Sequence, residues 1–88
     1  MLLNPTDAAA GPPAIPLAML GPGQSGVIMN VHGGHGIRRR LSDMGLVPGA
    51  QITVMNGAGA GGPLIVGVLE TRLMLGRGMA HKILVQPL

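Results

Sequence analysis

The chain contains no cysteine, no phenylalanine, no tyrosine and no tryptophan, and only three acidic residues among its 88. Without cysteine there are no disulfides, thiolate metal sites or thiol nucleophiles, so redox chemistry does not fix a compartment. Without aromatics there are none of the stacking platforms on which single-stranded nucleic acids are held. Scarce acid, rather than abundant base, sets the net charge of +3, because Lys and Arg together number only six. That is a small footprint for neutralising phosphates, and the two absences together argue against a nucleic-acid partner. No apolar run approaches the roughly 20 residues that span a bilayer. The first twenty residues lack a basic start and are broken by four prolines, which speaks against a secretory signal. The expectation is a soluble cytoplasmic protein that does not itself enter a membrane. A catalytic set would have to come from Ser25, Ser42, Asp43, Glu70 and three histidines. No spacing places two of these usefully, so a non-enzyme is predicted.

What the chain does have is turn-forming residues. Sixteen glycines and eight prolines point to many turns and short strands rather than a helical bundle. Residues 1–15, rich in Ala, Pro and Gly, are read as a flexible N-terminal tail, and residues 16–88 as one domain. Leu17 to Leu20 is expected as a short first strand, and Val27 to Val31 as a second. Gln51 to Asn56 alternates, with Ile52 and Val54 on one face. Gly57 to Pro63 is too glycine-rich for regular structure. Leu64 to Glu70 and Thr71 to Leu75 read as a hairpin, Gly76 to His81 as one short helical turn, and Ile83 to Val85 as a closing strand. These elements predict a mainly β fold, a small bent barrel of five to six short strands with one inserted short helix.

That helix lies in Ile37 to Gly49. Ile37, Leu41 and Met44 share one face at i, i+4, i+7 spacing. Gly45 suits a left-handed C-terminus, and Pro48-Gly49 a tight turn back into the sheet. By wheel geometry Arg40 borders the apolar stripe, with its stem along the core edge, while Arg38 and Arg39 point outward. Those two are the expected contacts for an acidic protein partner. On the hairpin, Ile65, Leu69 and Met74 fall on the face expected to look outward. Three apolar side chains there suggest a surface covered by a partner or by a second copy of the chain.

Other patterns carry less. Gly21, Gly23 and Gly26, and again Gly57, Gly59 and Gly62, match G-x-G-x-x-G, but each leads into a strand where a dinucleotide site needs a helix. No cofactor is expected. His32, His35 and His81 are the only metal candidates. They lack cysteine support and a preorganised spacing, so they are read as surface or capping residues. A metal-responsive module built on these three histidines is the alternative reading. The methionines look scattered and are read as core filler in place of aromatics.

Taken in order, Gly23-Gln24-Ser25-Gly26, Gly33-Gly34, and the run Arg38-Arg39-Arg40-Leu41-Ser42-Asp43-Met44-Gly45-Leu46-Val47-Pro48-Gly49 resemble the FeoA family of ferrous iron transport proteins. Gln51-Ile52-Thr53-Val54, Gly62-Pro63-Leu64 and Arg72-Leu73-Met74-Leu75 with Ala80 extend the resemblance over about Pro16 to Val85. It implies an SH3-like barrel with an inserted helix and a non-catalytic role. It also implies contact with the cytoplasmic GTP-binding portion of a FeoB-type ferrous iron transporter.

Overall fold

The structure, a computed structural model, describes residues 13–56 and 62–88. Most of the expected tail, and Gly57 to Gly61 of the glycine-rich loop, lie outside the described residues. The elements are β1 (Ile15–Pro16), a 3-10 turn (Leu17–Met19), β2 (Ser25–Val31), α1 (His35–Asp43), β3 (Gln51–Asn56), β4 (Leu64–Val68), β5 (Thr71–Leu75), α2 (Arg77–His81) and β6 (Ile83–Pro87). The six strands form one sheet in the order β1-β6-β2-β3-β4-β5 with every pair antiparallel.

The expected strand at Leu17 to Leu20 is a correction. A strand would turn Leu17 and Leu20 to opposite faces, whereas a 3-10 turn brings i and i+3 together. Both leucines are buried, and the Leu20 N–H donates to the Leu17 carbonyl at 3.0 Å. The strand lies just before this turn, where Ile15 pairs with Val85 and Pro16 with Leu84 at the sheet edge. An edge is where a proline, which has no N–H to give, is tolerated. Ile15, placed in the tail by composition, packs against the core.

The core is aliphatic throughout. Leu17, Leu20, Ile28, Val31, Leu41, Leu46, Ile52, Val54, Leu64, Val66, Val68, Leu75, Ala80, Ile83 and Val85 are buried, and no polar side chain among the described residues joins them. Alternation places Ile52 and Val54 of β3 inside with Leu64, Val66 and Val68 of β4. Gly26 allows the tightest approach: a Cβ there would sit 3.0 Å from the Gln86 carbonyl oxygen and 3.1 Å from Val85 Cβ. It opens β2 rather than a helix, and Gly62 leads into β4, so neither glycine pattern forms a nucleotide fingerprint.

Five of the six methionines among the described residues are not core filler. Met19, Met29, Met44, Met55 and Met74 are exposed, and Met79 is half-buried. Two of them mark strand irregularities, because register shifts fall between Ile28 and Asn30 in β2 and between Val54 and Asn56 in β3. A bulge inserts a residue with no partner across the ladder, and Met29 and Met55 are those residues. Leucine, isoleucine, valine and one alanine fill the interior, which leaves those five thioethers on the surface, while Met79 packs against the core from its edge.

Helix α1 ends as its sequence predicts. The Gly45 N–H donates to the Ser42 carbonyl and the Leu46 N–H to the Leu41 carbonyl, both at 2.9 Å, with Gly45 at φ 88°. That is a Schellman motif, and it leaves Leu41 and Leu46 both in the core. Val47-Pro48-Gly49-Ala50 follows as a turn closed by Ala50 N–H to the Val47 carbonyl at 3.0 Å, with Gly49 at φ 93°. Two further bonds, Gly49 N–H to the Ile28 carbonyl at 2.7 Å and Ile28 N–H to the Ala50 carbonyl at 2.8 Å, fasten the turn to β2. Of the helical stripe, Leu41 is fully buried and Ile37 packs against the core, but Met44 remains 39% exposed. The helix is held by fewer side chains than its pattern promises.

Candidate functional site

Among the described residues, two surface recesses can be placed beside this helix-and-turn unit. The larger, about 490 Å³, lies between the turn that follows α1 and the turn between β4 and β5, and is lined by Gly45, Val47, Ala50, Gln51, Thr53, Gly67 and Leu69. Gly67 keeps its floor open: a Cβ there would lie 3.3 Å from the Met55 sulfur. Thr53 on the same floor shares a 2.7 Å hydrogen bond with the hydroxyl of Ser25 across the β2–β3 pair. The walls are aliphatic, with an exposed Val47 on one side and Leu69 on the other.

Leu69 is the outlying residue of the backbone. The hairpin pairs Val68 with Thr71, so Leu69 and Glu70 form a two-residue turn. Such turns demand positive φ at one or both central positions and normally recruit glycine or asparagine. Here a leucine adopts φ 56°, alone among the described non-glycine residues, and its side chain is 95% exposed. The strand therefore ends at Val68 rather than at Glu70.

The smaller recess, about 250 Å³, is built from three elements. Arg40 and Leu41 come from α1, Met44 from the cap that ends it, Met74 and Leu75 from the end of β5, Gly76 from the link and Met79 from α2. Three thioethers thus meet beside one guanidinium group. Unbranched methionine reshapes itself to what it meets, which is why such surfaces serve as binding faces.

The expected contact residues are distributed as follows. Arg38 and Arg39 are exposed on α1 and line neither recess. Ile65 and Met74 are direct cross-strand partners and share the outer face of the β4–β5 hairpin. Met74 enters the smaller recess, whereas Leu69 stands at the far end of the hairpin and walls the larger one. Sequence reasoning passed over Arg40, Met44 and Met79. The signal for Arg40 was its wheel position beside the apolar stripe. Met44 and Met79 gave none, since only the fold brings the end of α1, the end of β5 and α2 together.

The histidines do not converge. His32, His35 and His81 are all exposed, and among the described residues no three His, Asp or Glu side chains are placed to hold a metal ion. His35 starts α1, and His32 follows β2, where its N–H donates to the Lys82 carbonyl at 2.7 Å. Among the described residues no helix is long and apolar enough to cross a membrane.

Comparison with known proteins agrees with this architecture. The FeoA domain model matches residues 15–87. The Fe(2+) transport protein A of Methanocaldococcus jannaschii is 31% identical over 71 residues, which cover 81% of this chain and 84% of that protein. A crystal structure of the iron uptake regulatory protein FeoA superposes with a TM-score of 0.80 at 39% identity, over 86% of this chain and all of the other. The zinc complex of FeoA from Stenotrophomonas maltophilia, described as a procaryotic SH3 domain protein, superposes with a TM-score of 0.71 at 30% identity. That match covers 85% of this chain and 91% of the other. The fold is the expected SH3-like barrel.

Proposed function

The chain belongs to the FeoA family, whose members take part in ferrous iron transport, and on that premise we propose that it is a non-catalytic accessory protein of ferrous iron uptake. It acts in the cytoplasm by protein contact with the GTP-binding portion of a FeoB-type transporter. The observation that carries this reading is the aliphatic recess of about 490 Å³ beside the turn after α1, walled by Val47 and the exposed Leu69. A largely aliphatic recess between two exposed turns offers a face for a protein segment, which the exposed Arg38 and Arg39 on the adjoining helix orient through acidic residues. Charge at such a rim acts chiefly on the rate and register of docking.

The test reverses both charges. Arg38→Glu with Arg39→Glu should lower transporter-dependent uptake of ferrous iron several-fold while the circular dichroism and melting midpoint stay near those of the parent. Normal uptake in that variant would remove the helix from the mechanism. Val47→Asp probes the recess independently of the arginines, and uptake unaffected by it would remove the recess.

A further inference from the structure

We propose that the chain associates with itself head to tail, the Leu69-Glu70 turn of one copy seating in the Arg40, Met44, Met74 and Met79 recess of the next. The proposal does not depend on the transporter reading, and each half of it is visible in one molecule. The knob is a 95% exposed leucine whose position is fixed by the backbone, on a two-residue turn closed by the Val68–Thr71 pair. A leucine at φ 56° carries a conformational cost of about 1–2 kcal/mol that glycine would avoid. Such outliers persist where the side chain is of use.

The recess answers the knob in size, polarity and charge. Its 250 Å³ falls below the roughly 300–1,000 Å³ of small-molecule sites, so it suits a protruding side chain better than a metabolite. Its lining is aliphatic and thioether, with Arg40 as its one charged member. Only two acids, Asp43 and Glu70, lie among the described residues. Glu70 directly follows the exposed leucine, so a copy that inserts Leu69 brings a carboxylate toward Arg40.

A copy cannot fill its own recess. Leu69 lies in the turn before β5 and Met74 near the other end of that strand, the step from Thr71 to Met74 alone spanning roughly 10 Å. The contact therefore uses different surfaces on its two sides. Such a heterologous interface either closes into a ring or continues as an open chain. One turn in one recess buries far less than the roughly 1,200 Å² of a stable complex, so the association is weak and appears only at high concentration.

The experiment uses the full chain at concentrations rising to about the millimolar range. Light scattering gives the mass, and the methionine methyl signals in NMR give the place. Apparent mass should rise with concentration, with the Met44, Met74 and Met79 methyls shifting and those of Met19 and Met29 staying fixed. Arg40→Glu alone and Glu70→Arg alone should each weaken association about ten-fold or more, since like charges then meet. An equimolar mixture of the two variants should recover it, because every contact between unlike copies again joins opposite charges. A parent chain that stays monomeric throughout overturns the proposal. So does association that persists in either variant, or a mixture that fails to recover. Melting curves of the two variants, both altered at exposed positions, establish that they are folded.

Discussion

The turn after α1 and the turn between β4 and β5 both call for positive φ and meet it with opposite choices of residue. Gly45 and Gly49 reach positive φ where nothing but the conformation is required, and glycine supplies it without strain. Leu69 reaches positive φ with a large side chain standing in solvent. The first turn is tied down by backbone hydrogen bonds to Leu41, Ser42 and Ile28 and leaves Leu46 in the core. The second presents a leucine that the described residues leave almost fully uncovered. One region is arranged for stability, and the other holds a side chain out at some cost to stability.

The contrast breaks if the helix-and-turn unit proves dispensable to stability. Leu41→Ala has the largest expected effect, a loss of about 2–5 kcal/mol, because it empties a fully buried site against Leu46 and the sheet. For a domain of this size each kcal/mol moves the melting midpoint by roughly 4–8 °C, so calorimetry reads the change directly. A midpoint within a few degrees of the parent would mean that α1 is not held by its apolar face. Gly26→Ala should cost about 1–3 kcal/mol, since the added methyl meets backbone and a stiff valine rather than a flexible chain end.

A finer comparison isolates conformation from packing. At Gly49 a Cβ meets nothing within 4 Å, and at Gly45 its nearest neighbour is Val68 Cγ1 at an ordinary 3.6 Å. Gly45→Ala and Gly49→Ala should therefore each cost about 1–2 kcal/mol from positive φ alone. Chemical denaturation measures both, with the slope against denaturant unchanged. Equal stability of either variant and the parent would show that these turns relax at no cost.

Legibility in the sequence followed the same division. The Schellman end at Gly45 and the Pro48-Gly49 turn were readable because glycine and proline announce the conformation they serve. Strands β3 and β5 were readable from alternation. The end of β4 was not, because Leu69 continues the apolar run and carries no glycine to mark its turn. Leu17 to Leu20 misled for a related reason: an apolar run shows that residues are buried but not which period buries them. The recess at Arg40 depends on Met44, Met74 and Met79 meeting from three separate elements, and no local period records that. Bulges at Met29 and Met55 likewise arise from pairing with neighbouring strands.

The smallest expected change in stability is the most telling for the second region. Leu69→Gly removes the strain of a leucine at φ 56° but adds freedom to the unfolded chain, a cost of roughly 0.5–1 kcal/mol. Set against relief of about 1–2 kcal/mol, the variant should be as stable as the parent or slightly more so. A side chain that is 95% exposed has almost no packing to lose. Thermal unfolding should then show a midpoint unchanged or raised by a few degrees, while the concentration-dependent rise in mass disappears. A clear fall in the midpoint would show that Leu69 supports its own fold and that the turn is not displaying it. An unchanged midpoint with undiminished association would show that Leu69 is not held out for a second copy of the chain, and the contrast between the two turns would then rest on its place in the wall of the larger recess.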